Sequence, residues 1–271
     1  MLRMRNLYIL LPFICLLALL YLFSGDNMAS AFSIVSHSRI ANTLGHSRLA
    51  VALSRSHTAV SLKKNLETAL TEWGVFHDQG YTNGTVDTIA MPESGQDVLK
   101  VSLQSGQPYA GIHAYRNLPA VDGATTFHMK LRFYFPEKQP IQALEFTMNK
   151  WVKDVRWEWA LQWQAVPDGS SLQGRAESWR VWNGANWQDI TVQQSLSANS
   201  WHTLDLYGKV VNGRVQYQSF QCDSKVVGMQ RYTFAPVSSP GDRLAVGVQL
   251  DGNAIQQPYP VYFDSISLQS Q

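Results

Sequence analysis

Residues 155–164 read VRWEWALQWQ, with Trp157, Trp159, Leu161 and Trp163 on alternate positions and Arg156, Glu158, Gln162 and Gln164 among those between them. Strict alternation is the pattern of a β-strand with two unlike faces. The same period recurs elsewhere. Phe127, Met129, Leu131, Phe133 and Phe135 alternate with His128, Lys130, Arg132 and Tyr134, and Leu144, Phe146 and Met148 alternate with Glu145, Thr147 and Asn149. Runs at Val98–Leu103, Tyr109–Tyr115, Leu244–Leu250 and Val261–Leu268 repeat the theme. Asn212-Gly213 joins two more, Thr203–Val211 and Arg214–Gln221, and this dipeptide supplies the positive φ values of a tight hairpin turn. One weak helix candidate lies near Leu62–Glu72. Many short strands at close spacing predict an all-β domain, a two-sheet antiparallel sandwich over residues 66–271.

In such a sandwich each strand turns one face to the core. The apolar sets above, including Trp157, Trp159 and Trp163, are therefore expected inside. Tyr115, Arg132, Tyr134, Glu145, Asn149, Arg156, Glu158 and Gln162 are expected outside, with Glu145, Arg132 and Arg156 on one concave face. Eight of the nine tryptophans fall between Trp151 and Trp201, and Trp179, Trp182 and Trp187 sit around the bend Asn183-Gly184. These three are expected on an exposed rim, with Trp182 as a stacking plane beside Tyr115 and Tyr134.

The chain before this domain differs from it. Arg3 and Arg5 precede an apolar run of 17 residues, Leu7–Phe23, and Ala29-Ser30-Ala31 offers a small-x-small cleavage site. Residues 1–31 read as a signal peptide or a membrane anchor, and either places the domain outside the cytoplasm, secreted or anchored in the membrane. Residues 36–62 hold three copies of a nine-residue unit, SHSRIANTL, GHSRLAVAL and SRSHTAVSL. A nine-residue period gives no single helical stripe, so residues 32–65 read as a flexible stalk. The net charge of +2 hides an asymmetry, +6 through Asn65 and −4 beyond it. Cys15 lies in the apolar run, which leaves Cys222 as the one thiol beyond it and excludes an internal disulfide there.

Several stretches resemble known architectures. NLETALTEW, GQDVLKVSL, AGIHAYRNLP and the closing VYFDSISL are similar to jelly-roll carbohydrate-binding modules. ALEFTMNKW, WRVWNGANW, NSWHTLDLYG and VQYQSF resemble the concanavalin A-like sandwiches of lectins, laminin G-like modules and glucanases. The resemblance implies a jelly roll whose partner is a polysaccharide or glycan. The membrane is a second partner if the N-terminal segment is uncleaved, and nothing points to nucleic acid. The resemblance also implies a structural calcium ion near the first and last strands, where Glu67 and Asp264 would fall; the residues themselves call for no cofactor.

Catalysis is weighed on the same residues. The glucanases carry Glu-x-Asp-x-x-Glu on one strand, and a retaining hydrolase needs two carboxyl groups roughly 5–5.5 Å apart. Here Glu145 remains, Thr147 replaces the aspartate and Lys150 the second glutamate. Glu158 could supply another carboxylate, but Arg156 beside it is expected to lower its pKa. A lyase acting on a uronate would draw on His113, Arg132, Tyr134, Arg156 and Gln162. No nucleophile elbow, zinc motif or phosphate loop is present. The sequence thus points first to a non-catalytic carbohydrate-binding module. A glycoside hydrolase or polysaccharide lyase is the alternative, and an adhesion or envelope domain that binds protein is a second one.

Overall fold

The computed structural model describes residues 60–91, 94–165 and 176–271. The strands in chain order are β1 (Ser61–Lys63), β2 (Trp73–Gln79), β3 (Thr82–Met91), β4 (Gln96–Gly106), β5 (Gly111–Pro119) and β6 (Thr126–Tyr134). There follow β7 (Ile141–Val152), β8 (Val155–Gln164), β9 (Ser178–Trp182), β10 (Trp187–Gln193), β11 (Trp201–Val211) and β12 (Arg214–Cys222). The chain ends with β13 (Lys225–Gly228), β14 (Thr233–Phe234), β15 (Val237–Ser238), β16 (Arg243–Gly252) and β17 (Tyr259–Ser270). All pairings are antiparallel. They build a nine-stranded sheet in the order β13-β12-β11-β6-β17-β4-β3, with β1 on β17 and β14 on β12, and an eight-stranded sheet in the order β10-β9-β8-β7-β16-β5-β2, with β15 on β8.

The two sheets face each other across an aromatic core. Phe133 of β6 meets Phe146 of β7 with ring centroids 4.9 Å apart, Phe127 meets Trp159 at 5.0 Å, and Trp179 meets Phe220 at 5.0 Å. Each fully buried indole N–H finds an acceptor, as buried polar groups must. Trp159 donates to the Gln216 carbonyl, Trp163 to the Gln194 carbonyl and Trp179 to the Gln194 side-chain oxygen, each at 3.0 Å. Tyr217 crosses the core so that its hydroxyl accepts from the Ala160 N–H at 2.9 Å. Burial pushes the Cys222 thiol well above its ordinary pKa, in keeping with an inert core residue.

Several expectations are corrected. Trp159 and Trp163 lie in the core, but Trp157 sits at its open end, half-buried, donating to the Gly213 carbonyl at 2.9 Å. Trp179, expected on the rim, is wholly buried, because β9 turns Trp179 and Val181 inward and Arg180 and Trp182 outward. The segment Leu62–Glu72 forms β1 and two short 3-10 turns, Leu66–Thr68 and Leu70–Glu72, in place of an α-helix. Its buried Leu66 and Glu67 are pinned against the last strand, where the Ile266 N–H donates to Glu67 at 2.9 Å. Ser61–Lys63 pairs with the last strand and so belongs to the nine-stranded sheet. The apolar run Leu7–Phe23, the small-residue site at Ala29–Ala31 and residues 36–59 of the repeat lie outside the described residues.

Candidate functional site

The outer face of the eight-stranded sheet carries a cleft of about 590 Å³. Its plan follows from strand register, since residues opposite one another on a pleated sheet stand side by side on one face. At one end Arg156, Trp151 and Arg243 form a cross-strand row. The next row is Glu158, Asn149, Ala245 and Asn117, and the one after it is Ala160, Thr147, Gly247, Tyr115 and Gly74. Beyond lies Arg180, Gln162, Glu145, Gln249, His113 and Phe76, followed by Asp251 opposite Gly111.

The depth of the cleft comes from the middle row. Ala160, Thr147, Gly247 and Gly74 are small, while larger groups stand on either side. A Cβ on Gly247 would come within 2.2 Å of His113 Nε2 and 2.7 Å of Thr147 Oγ1, so only glycine lets both side chains close over the strand. Aromatic planes stand around this floor. Trp182 and Trp187 pack edge to face at 5.4 Å, and Phe76 stacks on His113 at 4.9 Å with Tyr115 beside them.

The polar groups of the floor are only partly satisfied by one another. Gln162 Nε2 donates to Glu145 at 2.8 Å, and Gln249 Nε2 donates to Asp78 at 3.0 Å and to Asp251 at 2.9 Å. Thr147 Oγ1, Asn149 Oδ1 and Gln162 Oε1 are buried without a hydrogen-bond partner among the described residues. Buried polar atoms left so are uncommon in folded proteins.

Burial also shapes the ionisation of the cleft. It raises Glu145 well above the usual carboxylate range, and the neighbouring Asp251 adds to the rise. The same burial pushes Asp251 up to about 6, and the two carboxyl groups share a hydrogen bond. Two like charges this close resist joint ionisation. Desolvation lowers His113 to about 4, so its imidazole is neutral at pH 7. Glu158 is raised by burial, with Arg156 only second and opposing, although the two pair at 3.0 Å. The expected fall in the Glu158 pKa is therefore reversed, because desolvation outweighs one partner charge.

Of the residues singled out from sequence, the sheet brings together Tyr115, Glu145, Asn149, Arg156, Glu158, Gln162 and Trp182. Arg132 and Tyr134 are elsewhere. They belong to β6 and point outward from the nine-stranded sheet, where Arg132 pairs with Asp264 at 3.0 Å and stacks over Trp201, and the Tyr134 hydroxyl donates to Asn199 at 3.0 Å. Glu145, Arg132 and Arg156 do not share one face, since the chain crosses between sheets from β6 to β7 and outward then means opposite sides of the sandwich.

β7 is regularly paired with β8 from Ala143 to Val152, so Asn149, not Lys150, follows Glu145 and Thr147 into the cleft. Lys150 turns inward and donates to the Ala124 carbonyl. The glucanase pattern thus ends in an amide on the cleft side. Trp187 lines the cleft beside Trp182, on the rim expected for it, whereas Trp151, Arg243, Gln249 and Asp251 were not anticipated. Arg243-Leu-Ala-Val-Gly-Val-Gln-Leu-Asp251 alternates as clearly as the strands that were used, and its outward set was legible in the same way.

Glu67 and Asp264 do not suit calcium, which takes six to eight oxygen ligands. One Asp264 oxygen meets the Arg132 guanidinium and the other the Gln96 amide, and one Glu67 oxygen is held by the Ile266 N–H. A single carboxylate oxygen of the two, Glu67 Oε1, is left without a partner among the described residues. An arginine thus occupies the place a cation would take.

No protein-family model matches the chain, and no curated protein matches it. Among solved structures it is similar to a basic winged bean lectin bound to Tn-antigen, with 8% identity over 79% of this chain and 99% of that one, at a TM-score of 0.48. The family 11 carbohydrate-binding module of Clostridium thermocellum, in complex with a mixed-linked tetrasaccharide, shares 11% identity over 78% and 96% at 0.39. The alginate lyase Aly36B shares 10% over 67% and 86% at 0.40. The chemistry of the cleft follows from its own residues.

Proposed function

We propose that the cleft binds a stretch of polysaccharide. The observation that carries this reading is the pairing of aromatic planes, Trp182, Trp187, Tyr115 and Phe76, with polar acceptors that line the same cleft, Asp78, Asn117 and Glu158. A sugar ring presents an apolar face that lies on aromatic surface and hydroxyl donors that such acceptors receive. Retention of the purified chain on insoluble polysaccharides and on a glycan array tests the reading. Retention that falls at least about tenfold in Trp182→Ala/Trp187→Ala supports it; no retention on any glycan overturns it.

The module holds its ligand without cleaving it. Glu145 and Glu158 lie four residues apart along paired strands, about 13 Å at ~3.3 Å per residue, wider than either hydrolytic arrangement of carboxyl groups, while Glu145 and Asp251 share a hydrogen bond and so leave no room between them for a scissile bond. Asn149 cannot serve as a general acid in their place, and His113, with a pKa near 4, is a poor base at pH 7. Release of reducing sugar or of unsaturated ends by the purified chain, lost in Glu145→Gln or Tyr115→Phe, would replace binding with hydrolysis or elimination. The proposal includes export, on the strength of residues 1–31. Cell fractionation and protease accessibility test it, and a chain found wholly in the cytoplasm would remove this part.

A further inference from the structure

The two ends of the cleft differ in charge. At one end stands the row Arg156–Trp151–Arg243. Arg156 is answered by Glu158 at 3.0 Å. Arg243 is not: among the described residues no carboxylate lies within ion-pair distance of it and no acceptor takes its N–H groups. Its guanidinium carbon stands over the Trp151 indole, 4.1 Å from the ring centroid, and its Nε is buried without a partner among the described residues.

This placement is built into the fold. Register sets Arg243 against Trp151, and Gly241 leaves room, since a Cβ there would stand 2.6 Å from an Arg243 terminal nitrogen. A stacked guanidinium has lost much of its rotational freedom and keeps its planar fork of donors for an anion. The opposite end holds Asp78, Glu145 and Asp251. It stands six residues away along the strands, about 20 Å at ~3.3 Å per residue, and is hostile to a second negative charge.

We propose that Arg243 recognises an anionic substituent of the bound glycan, a carboxylate or a sulfate, and that the ligand is an acidic polysaccharide laid with its charged sugar at Arg243 and a neutral sugar over Glu145. This rests on the glycan-binding reading above and adds substrate class and direction to it. A bidentate charge-assisted contact is geometrically specific, so the preference follows the charge and not only the ring.

Affinities of the intact chain for three pairs of probes test it: hyaluronan and polygalacturonate, each against its carboxyl-reduced form, and sulfated dextran against dextran. At least one acidic probe is expected to bind about tenfold or more tighter than its neutral counterpart. Arg243→Gln is expected to abolish that difference and Arg243→Lys to keep part of it, with circular dichroism and melting temperature showing that both variants fold. Preference for hyaluronan or polygalacturonate identifies a carboxylate, and preference for sulfated dextran alone a sulfate. Equal affinity within every pair, or a preference that survives Arg243→Gln, overturns the assignment while leaving glycan binding intact. Failure of neutral and acidic probes alike, on the array as well, overturns the binding reading and this one with it.

Discussion

The outer faces of the two sheets are made from the same kinds of residue and differ in what those residues do with their bonds. On the nine-stranded sheet the polar groups have mostly found one another. Arg132 pairs with Asp264 at 3.0 Å, His128 with Asp205 at 2.7 Å, and Tyr134 with Asn199 at 3.0 Å. On the eight-stranded sheet Thr147, Asn149 and Gln162 keep oxygens with no partner among the described residues, Arg243 has no carboxylate among them within ion-pair distance, and a row of small residues opens the floor. A polar face becomes a site when its groups are held in place but not by each other.

The comparison breaks most visibly at its two arginines. Arg132→Ala leaves Asp264, which is 1% exposed, without its ion partner, and should cost about 3 kcal/mol, or roughly 6–12 °C in melting temperature, while folded protein binds glycan as before. Arg156→Ala leaves Glu158, whose side chain is 17% exposed, free to take up the proton that burial already favours, and should lower the melting temperature less than Arg132→Ala does, yet weaken glycan retention. Loss of binding in the Arg132 variant, or a large loss of stability in the Arg156 variant, would erase the distinction between the faces.

Next in size is the effect of aromatic truncation. Trp182→Ala/Trp187→Ala should lower glycan affinity at least about tenfold, whereas Tyr134→Ala/Trp201→Ala on the other sheet should leave it unchanged; isothermal titration against the retained glycan reads both.

The carboxyl pair predicts a pH dependence. Asp251 titrates near 6 in the folded chain against an ordinary 3.8, so folding favours its protonated form. Stabilisation from this source is complete below about pH 4 and lost as the pH rises through 6. Asp251→Asn keeps an acceptor for Gln249 and a donor for Glu145. Melting curves of the variant should lie above the parent at pH 8 and coincide with it at pH 4. His113 has the opposite sign: its folded value near 4 lies below the ordinary 6.5, so its contribution is present above 6.5 and lost as the pH falls toward 4. A variant curve parallel to the parent from pH 4 to 8 would show that the pair carries no burial penalty.

The smallest effect is expected from Thr147→Val, which removes a buried hydroxyl with no partner. Stability should hold or rise slightly, and glycan affinity should fall about two- to tenfold. A stability loss above about 1 kcal/mol would mean that the hydroxyl is satisfied within the protein and is not held for a ligand.

Which side of each strand faces the core was legible from alternation, a local property of period two. Leu144, Phe146 and Met148 pack inside, and Glu145, Thr147 and Asn149 turn out, as the pattern requires. Arg156, Glu158 and Gln162 followed from the same rule applied to the tryptophan run. Trp179 obeys it too, with Val181 inward beside it, but the length of β9 was not evident from the pattern, and Trp157 keeps the inward face yet is only half-buried. The span of β9 decides the first, and the position of the second at the end of the sandwich decides the other.

Sequence by itself determined an all-β sandwich, the inward and outward sets of its main strands, and the chemical types available for a site. Tertiary structure alone decided which outward sets meet. Arg132 and Tyr134 were separated from Glu145 because β6 and β7 belong to different sheets, and Arg243, Gln249 and Asp251 joined it because β16 inserts between β5 and β7. Alternation is set within a few residues, whereas sheet membership is set by pairing between segments about a hundred residues apart, whose cause lies in how all the strands share one core.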